Sequence, residues 1–360
     1  MWINRLDVEN FRGIGKIKLE TKPINVFVGR NNTGKSSVLE AATIAATSPT
    51  GYADALNNDL LLPILGKETS LSYWVKMGYK EARIKLESKD STIRELVINY
   101  FEKGLPETDS EQARKLIAQQ SFRELTPHYS DKNELAIMMK RKLDELTALP
   151  KLCLMDVSSE NMVIVVQELE RLSIIRMDTP APSNVFYVGN VHKPSLTMLY
   201  NKLVQSGLIQ NIMKMLSEQI SYLTDLRTVG DKLFVFLDGL DKPLPVSLMG
   251  DGFQALLRSA FAAALAKDGL LVLEEPEVNL HPGFVELITS HLAEYTKKYQ
   301  MQVFLSTHSL EFLESLLEKA MDITQVVRMY LVGGEIDYEV LSGEEASAEV
   351  KQLEMDLRGA

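Results

Sequence analysis

Residues 24–46 read INVFVGRNNTGKSSVLEAATIAA, and the fold prediction rests on this stretch. The apolar run of residues 24–28 is typical of a short buried strand, and the segment from Gly34 to about Ala46 is predicted to form a helix. Between them, residues 29–36 match the pattern G-x-x-x-x-G-K-[ST], which is specific when it joins a strand to a helix. The sequence therefore predicts a phosphate-binding turn.

In such a turn, successive backbone N–H groups converge on a phosphate, and the N-terminus of the following helix adds a favourable dipole. We expect Lys35 to reach the β- and γ-phosphates of a nucleotide and the Ser36 hydroxyl to bind Mg²⁺. The candidate contact residues in this turn are Asn31, Asn32, Thr33, Gly34, Lys35, Ser36 and Ser37. A fortuitous glycine turn is the alternative, and the flanking strand and helix disfavour it.

Two carboxylates follow a second apolar run, residues 270–273. Glu274 is predicted to bind Mg²⁺ directly or through water, and Glu275 to polarise a water molecule for attack on the γ-phosphate. Taken alone, an apolar run before two acids is usually a strand that meets solvent. Its position after the phosphate-binding turn and before the next motif favours the catalytic interpretation.

A third apolar run, residues 303–305, leads into Ser-Thr-His-Ser. His308 in this motif is suited to sensing or stabilising the γ-phosphate, because imidazole can donate a hydrogen bond near neutral pH. For His281, just after the acidic pair, an interface role and a structural role both remain open. Arg12 could contact phosphate or base, or could be a surface arginine. The remaining histidines are interpreted as structural: His128, His192 and His291.

Composition excludes several classes of protein. The net charge of -10 disfavours a chain that coats DNA through bulk charge. Cys153 is the only cysteine, which excludes an internal disulfide and a Cys-x-x-Cys metal site, and a reducing, cytoplasmic location is therefore expected. No stretch approaches the ~18 uncharged apolar residues of a membrane span.

Strand-like and helix-like patterns alternate after residue 270, which predicts a parallel sheet with crossover helices in an α/β fold. Three β-like stretches near the N-terminal end predict an antiparallel lobe: Leu71–Val75, Ala82–Glu87 and Leu96–Phe101. Residues 327–340, which include a Gly-Gly pair, predict a hairpin.

The middle of the chain has a different pattern. Residues 110–176 are charged and helix-like, and they predict an inserted helical lobe, followed by a proline-bearing linker over 178–182. The predicted organisation is therefore an N-terminal part (1–109), a helical insert (110–183) and a C-terminal part (184–360).

Four segments in this order resemble those of one group of ATPases. They are Phe11-Arg12-Gly13, the phosphate-binding turn, Glu274-Glu275-Pro276-Glu277 with Leu280-His281-Pro282, and Ser306-Thr307-His308-Ser309. The group is the ABC-type one within the AAA family, which includes chromosome-maintenance, break-repair and recombination heads and the overcoming-lysogenization-defect nucleases. The resemblance implies an ABC-ATPase head that hydrolyses ATP with Mg²⁺ and forms its two nucleotide sites between the heads of a homodimer.

In that family a signature loop before a helix contacts the γ-phosphate held by the partner head. Gly250, Asp251 and Gly252 occupy the corresponding place and are the candidate residues. Gly250 takes the position of the common serine, so a purely structural helix start remains the alternative. Glu274 also departs from the family, which usually has aspartate as its metal-binding acid.

The spacing between Lys35 and Gly250 is too short for long coiled-coil arms, and the segment after His308 is expected to be too short for an appended nuclease domain. The resemblance thus implies a stand-alone head that acts in DNA repair, DNA processing or defence, with DNA and a separate nuclease or other protein as partners. A nucleotide-dependent protein-interaction module and a transporter-associated ATPase remain the alternatives.

Overall fold

The computed structural model describes residues 2–47, 53–66, 70–104, 110–129, 131–176, 183–189 and 192–352. The linker predicted over 178–182 lies outside these residues. The chain divides into two compact units. The first unit comprises Met1–Ile3, Thr21–Leu39 and Asn184–Ala360, and the second comprises Asn4–Glu20 and Glu40–Ser183. Residues 110–183, predicted as an insert, lie in the second unit together with residues 40–109.

The strands, in chain order, are β1 (Ile3–Glu9), β2 (Lys16–Glu20), β3 (Ile24–Gly29), β4 (Glu81–Ser88), β5 (Ile93–Phe101), β6 (Lys151–Asp156), β7 (Asn161–Glu168), β8 (Arg171–Arg176), β9 (Val185–Val188), β10 (Leu223–Val229), β11 (Lys232–Leu237), β12 (Leu244–Pro245), β13 (Leu270–Glu274), β14 (Gln302–Ser306), β15 (Thr324–Val332) and β16 (Glu335–Ser342).

The helices are α1 (Lys35–Ala46), α2 (Leu61–Leu65), α3 (Ser110–Leu125), α4 (Lys132–Ala148), α5 (Leu196–Gln205), α6 (Ile209–Gln219), α7 (Asp251–Leu265), α8 (Pro282–Tyr299), α9 (Leu310–Ala320) and α10 (Gly343–Gln352). Across the described ranges, none of the helices has the length and apolar character needed to cross a membrane.

A six-stranded sheet forms the centre of the first unit, in the order β16, β15, β3, β14, β13, β9. Strands β9, β13, β14, β3 and β15 are parallel, and only β16 runs antiparallel, as the second strand of the predicted C-terminal hairpin. Every residue of β3, β13 and β14 is buried, as expected for parallel strands covered on both faces. The prediction of an α/β fold with a parallel core sheet is confirmed.

The helices of the first unit bury their apolar faces and connect neighbouring strands. Helix α8 connects β13 to β14, and α9 connects β14 to β15. Helix α8 begins after His281, whose Nδ1 accepts a hydrogen bond from the Gly283 N–H at 3.2 Å. His281 thus caps α8.

His291 lies on the same helix, where its ring packs against Tyr295. Burial lowers the pKa of His291 to about 4, so it is a neutral core residue.

The second unit contains a seven-stranded sheet in the order β2, β1, β4, β5, β6, β7, β8. The pairs from β4 to β8 are antiparallel, which agrees with the predicted antiparallel lobe. The core between α3 and the sheet contains Leu116, Ile117, Cys153, Ile164 and Ile175.

Two predicted elements of this unit are wrong. Helices occupy residues 110–125 and 132–148 of the predicted helical lobe, but residues 151–176 form strands β6 to β8. The charged residues that suggest a helix lie at the ends of these strands or in the turns between them, whereas the apolar run Met162–Val166 is buried in β7. Leu71–Trp74 is a short 3-10 helix rather than a strand, because the Ser70 hydroxyl accepts a hydrogen bond from the Ser72 N–H and caps it. Val75 forms only an isolated bridge to Phe11, whose ring packs against Trp74 with centroids 5.6 Å apart.

The core sheet supplies a first prediction. Phe304 in β14 packs against Phe27 in β3, with ring centroids 5.9 Å apart, and both side chains are fully buried. We expect Phe304→Ala to lower the free energy of unfolding by about 3–5 kcal/mol, because the truncation leaves a cavity between two central strands. Urea denaturation measures the effect. Leu331→Ala is the control, since this side chain is 51% exposed in β15 and its truncation should cost less than about 0.5 kcal/mol. Equal costs would contradict the assigned core.

Candidate nucleotide-binding site

Three parallel strands of the first unit end side by side. In the sheet register, Ser306 at the end of β14 lies opposite both Phe27 of β3 and Glu274 of β13. Because the carboxyl ends of parallel strands meet at one edge of a sheet, the three motifs found in the sequence lie at the same edge. This edge is the candidate nucleotide-binding site.

The turn after β3 has backbone angles that favour glycine. Gly29 has φ +146°, and a Cβ atom there would lie 2.2 Å from the Met329 carbonyl oxygen. Gly34 has φ +89° and Asn32 has φ +64°, so the chain turns sharply before α1 begins at Lys35. The Thr33 hydroxyl donates to the Arg30 carbonyl at 2.8 Å. Within this predicted contact set, Asn31 and Asn32 are exposed, and Thr33, Lys35 and Ser37 are buried.

Lys35 is the central cation of the turn. Its Nζ donates hydrogen bonds to the carbonyl oxygens of Gly29 and Arg30, each at 2.8 Å. Burial lowers the pKa of Lys35, and the nearby charges of Glu275 and Glu277 oppose that shift. The carbonyls are neutral acceptors, so phosphate oxygens could replace them with a gain in electrostatic attraction.

Ser36 and Glu274 form the candidate magnesium site. The Ser36 hydroxyl donates to Glu274 Oε1 at 2.5 Å, so a hydroxyl and a carboxylate oxygen converge. Mg²⁺ prefers oxygen ligands and usually keeps several waters and substrate phosphates, so this pair fits the ion. Within the described residues, no group of three or more His, Cys, Asp and Glu side chains could hold a metal without a nucleotide.

Glu275 and His308 face each other across the ends of β13 and β14. Glu275 Oε1 lies 3.4 Å from His308 Nε2, and both side chains are about one-third exposed, at 29% and 33%. Glu275 has φ +50°, a left-handed conformation that costs a non-glycine residue about 1–2 kcal/mol. Its backbone N–H donates to the Ser306 carbonyl at 3.0 Å, which holds the turn. The carboxylate is therefore partly open to water, next to the histidine.

Glu277 is a site residue whose contacts could not be read from the sequence. Its Oε1 accepts hydrogen bonds from the Thr307 hydroxyl at 2.8 Å and from the His308 backbone N–H at 2.9 Å. Burial raises the pKa of Glu277, and these hydrogen bonds oppose the shift. The turn after β13 is thus tied to the backbone of His308.

The predicted signature loop leads into the exposed start of helix α7. Gly250 precedes the helix with φ −57°, and a Cβ atom at Gly250 would meet nothing within 4 Å. Gly252 is different, because a Cβ atom there would lie 2.3 Å from the Asn279 carbonyl oxygen. The first turn of α7 therefore packs directly on the turn that follows Glu275. Two exposed apolar side chains lie in these same segments, Leu248 at 71% and Val278 at 47%.

A cleft of 230 Å³ opens between α7 and the end of β13. Its lining includes Lys193, Asp251, Arg258, Glu274 and Glu275. Burial lowers the pKa of Arg258, whose Nε donates to the Pro194 carbonyl at 3.1 Å. The cleft gives water access to the side of Glu275.

Arg12, a further candidate contact residue, belongs to the second unit. Its Nη1 pairs with the buried carboxylate of Glu40, and its guanidinium lies over the Trp74 ring at 4.6 Å from the centroid. These contacts account for its position within that unit, and its contact with a nucleotide stays a prediction.

Comparison with known proteins agrees with this geometry. Residues 1–162 match the family described as "AAA ATPase domain", and residues 190–314 match "AAA domain, putative AbiEii toxin, Type IV TA system". Two AAA domain families thus match separate parts of the chain. The Smc head bound to the C-winged helix domain of ScpA is 13% identical, with a TM-score of 0.52 over 96% of this chain and 100% of that chain. A second Smc head, with an extended coiled coil and bound to the C-terminal domain of ScpA, from Pyrococcus furiosus, is 12% identical, with a TM-score of 0.51 over 98% and 100%.

These structures show that the chain has the fold of an SMC head domain. Among related sequences, the uncharacterized protein MJECL11 of Methanocaldococcus jannaschii is 39% identical over 72 residues, which are 20% of this chain and 63% of that protein. The chain thus spans less than two thirds of that relative. An ATP/GTP phosphatase of Helicobacter pylori is 21% identical over 336 residues, with 87% of each chain covered.

The two glycines of the signature loop give a matched pair of substitutions. We expect Gly252→Ala to lower the free energy of unfolding by about 1–3 kcal/mol, because its Cβ would overlap the Asn279 carbonyl oxygen. Gly250→Ser should be neutral or stabilising by a few tenths of a kcal/mol, because the position is open and serine is a favourable N-cap. Urea denaturation of both variants measures the difference. A Gly252→Ala variant as stable as the parent would refute the close packing of α7 on this turn.

Proposed function

We propose that this ATPase is a dimerising switch, in which ATP bound by one head is contacted by the signature loop of a second copy. The observation that carries the proposal is the convergence of Lys35, Ser36, Glu274, Glu275 and His308 at one sheet edge of the first unit. The open start of α7 and the exposed Leu248 and Val278 support a partner surface in the same unit.

In the proposed reaction, Lys35 exchanges its carbonyl partners for the β- and γ-phosphate oxygens. Ser36 and Glu274 would hold Mg²⁺, which supplies charge neutralisation at the phosphates. Glu275 accepts a proton from the attacking water, and the water's oxygen forms the bond to the γ-phosphorus as the bond to ADP breaks. His308, 3.4 Å from Glu275, orients that carboxylate or donates to the γ-phosphate.

The partner contact would use the α7 N-terminus. Backbone N–H groups at the start of a helix bind anions, and α7 has no side-chain cap at Gly250 that competes for them. A γ-phosphate held by the partner copy fits this position. The resulting homodimer contains two nucleotides at its interface.

The proposed biological setting rests on the resemblance to repair and defence ATPases rather than on the geometry of the site. We propose DNA repair, DNA processing or defence in the cytoplasm, with DNA and a separate nuclease or other protein as partners. The net charge of -10 implies that any DNA contact is local or is made through the partner.

Lys35→Ala tests the nucleotide site itself. We expect ATP affinity to fall at least about tenfold, because the variant loses charge-assisted hydrogen bonds to phosphate, each worth about 1.5–3 kcal/mol. Isothermal titration calorimetry with ATP and Mg²⁺, repeated with GTP, measures it. Lys298→Ala is the control, because this lysine is exposed on α8 and should leave affinity unchanged. Unchanged affinity in Lys35→Ala would refute the phosphate-binding assignment.

Glu275→Gln tests the switch. The amide keeps the shape of the side chain but removes the charge that polarises water, so we expect hydrolysis to slow by about 100-fold or more while ATP affinity is retained. Bound ATP should then hold two copies together. Light scattering with ATP and Mg²⁺ should report a dimer for the variant, while the parent returns to monomer or to a looser dimer as ATP is consumed.

A second substitution tests the trans contact in the same background. Adding Gly250→Arg to Glu275→Gln should prevent the dimer but not ATP binding, because a Cβ atom at Gly250 meets nothing within 4 Å and the long charged side chain would obstruct a partner at this loop. If the double variant still dimerises, the signature contact is wrong. If Glu275→Gln hydrolyses ATP at the parent rate, the role of Glu275 is wrong. If it binds ATP without dimerising, the switch is wrong and a nucleotide-dependent interaction module is favoured.

A further inference from the structure

Glu274 is held from both sides by hydroxyl groups. Its Oε1 accepts from Ser36, and its Oε2 accepts from the Tyr187 hydroxyl at 3.1 Å. Glu274 is 8% exposed and Tyr187 is fully buried. The Tyr187 contact was not visible in the sequence, because β9 carries no motif and its pairing with β13 was unknown.

The sheet explains how the two side chains meet. Strand β9 pairs with β13 in parallel, and Tyr187 lies opposite Val272, two residues before Glu274 on β13. Residues two apart on a strand face the same side, so the long tyrosine ring can reach along the strand to the carboxylate. Gly189 leaves room for this contact, because a Cβ atom there would lie 2.8 Å from Glu274 Cβ and from its Oε2.

We propose that Tyr187 is a positioning residue for the magnesium-binding acid, and that the site depends on Tyr187 because residue 274 is a glutamate. A glutamate side chain has one more rotatable bond than aspartate and loses more conformational freedom when it is held in place. Its extra methylene lengthens the side chain by one C–C bond of about 1.5 Å. The Tyr187 hydroxyl fixes one oxygen of this longer side chain and so directs the other toward Ser36. The inference rests on the proposed nucleotide site.

The first test measures the Mg²⁺ concentration that gives half-maximal ATP binding, by calorimetry at fixed ATP, for Tyr187→Phe. Phenylalanine keeps the ring in the core and removes only the hydroxyl. We expect the required Mg²⁺ concentration to rise about tenfold, the size of effect typical for residues that orient a metal ligand. Tyr200→Phe is the matched control, because the Tyr200 hydroxyl is similarly buried in the same unit but donates to the Leu226 carbonyl at 2.6 Å. The control should not change the Mg²⁺ requirement.

The second test repeats Tyr187→Phe in a Glu274→Asp background. The shorter acid should no longer reach Tyr187, so the same substitution should there change the Mg²⁺ requirement less than twofold. Equal changes in both backgrounds would show that Tyr187 acts through packing and would overturn the proposal. An unchanged Mg²⁺ requirement in Tyr187→Phe alone would also overturn it.

The same measurements can refute the proposed nucleotide site separately from the role of Tyr187. If the parent protein binds no ATP at any Mg²⁺ concentration, the site assignment is wrong, and with it this inference. If the parent binds ATP with a clear Mg²⁺ requirement and Tyr187→Phe behaves like Tyr200→Phe, only the role of Tyr187 is wrong.

Discussion

The parallel pairing of β3, β14 and β13 is the constraint on which the site depends. Ser306 lies opposite Phe27 and Glu274 in the register, and these strands are buried along their whole length. A shift of one residue would turn each side chain to the other face of the sheet, and the close packing of these buried side chains opposes such a shift. The distances between Ser36 and Glu274 and between Glu275 and His308 are therefore consequences of core packing. The apolar core, rather than contacts among the polar residues, positions the site.

The charges at this edge favour a nucleotide that arrives with a cation. Among the described residues, the Lys35 ammonium donates hydrogen bonds to two neutral carbonyl oxygens. Burial lowers its pKa, while the charges of Glu275 and Glu277 act in the opposite direction. Nucleotide phosphates would satisfy this ammonium, but they would also bring negative charge close to Glu274 and Glu275. At short range and low dielectric such repulsion is large. A divalent cation between the phosphates and Glu274 would offset this repulsion. The acidic strand end and the phosphate-binding turn can therefore serve one nucleotide together.

The contiguous parts of the site could be predicted from the sequence, and the parts that depend on distant pairing could not. The phosphate-binding turn, the acids after β13 and His308 are short motifs attached to apolar strands, and local pattern was enough to find them. Tyr187 and the contacts of Glu277 depend on which strands and loops become neighbours, which local pattern does not contain. Residues 151–176 have a helix-like charged pattern because charged residues interrupt the apolar runs, yet antiparallel pairing places those charges at strand ends and in the turns. Leu71–Val75 has strand-like residues, but the cap formed by the Ser70 hydroxyl begins a 3-10 helix there.

The turn of residues 275–279 connects the start of α7, the proposed partner contact, with the carboxylate proposed to activate water. On one side the Asn279 carbonyl oxygen packs against Gly252, in the first turn of α7. On the other side Glu277 holds the backbone of His308. Glu275 begins this turn with a left-handed backbone, and its carbonyl accepts from the Val278 N–H at 3.1 Å, so the turn is a closed unit with little freedom. If a partner's phosphate binds at Gly250, the displacement that it imposes on α7 must reach Asn279, because no space separates Gly252 from that carbonyl. The same turn carries the carboxylate proposed to activate water. In the proposed switch, binding by the partner and the position of Glu275 would therefore be coupled through a direct contact within one head.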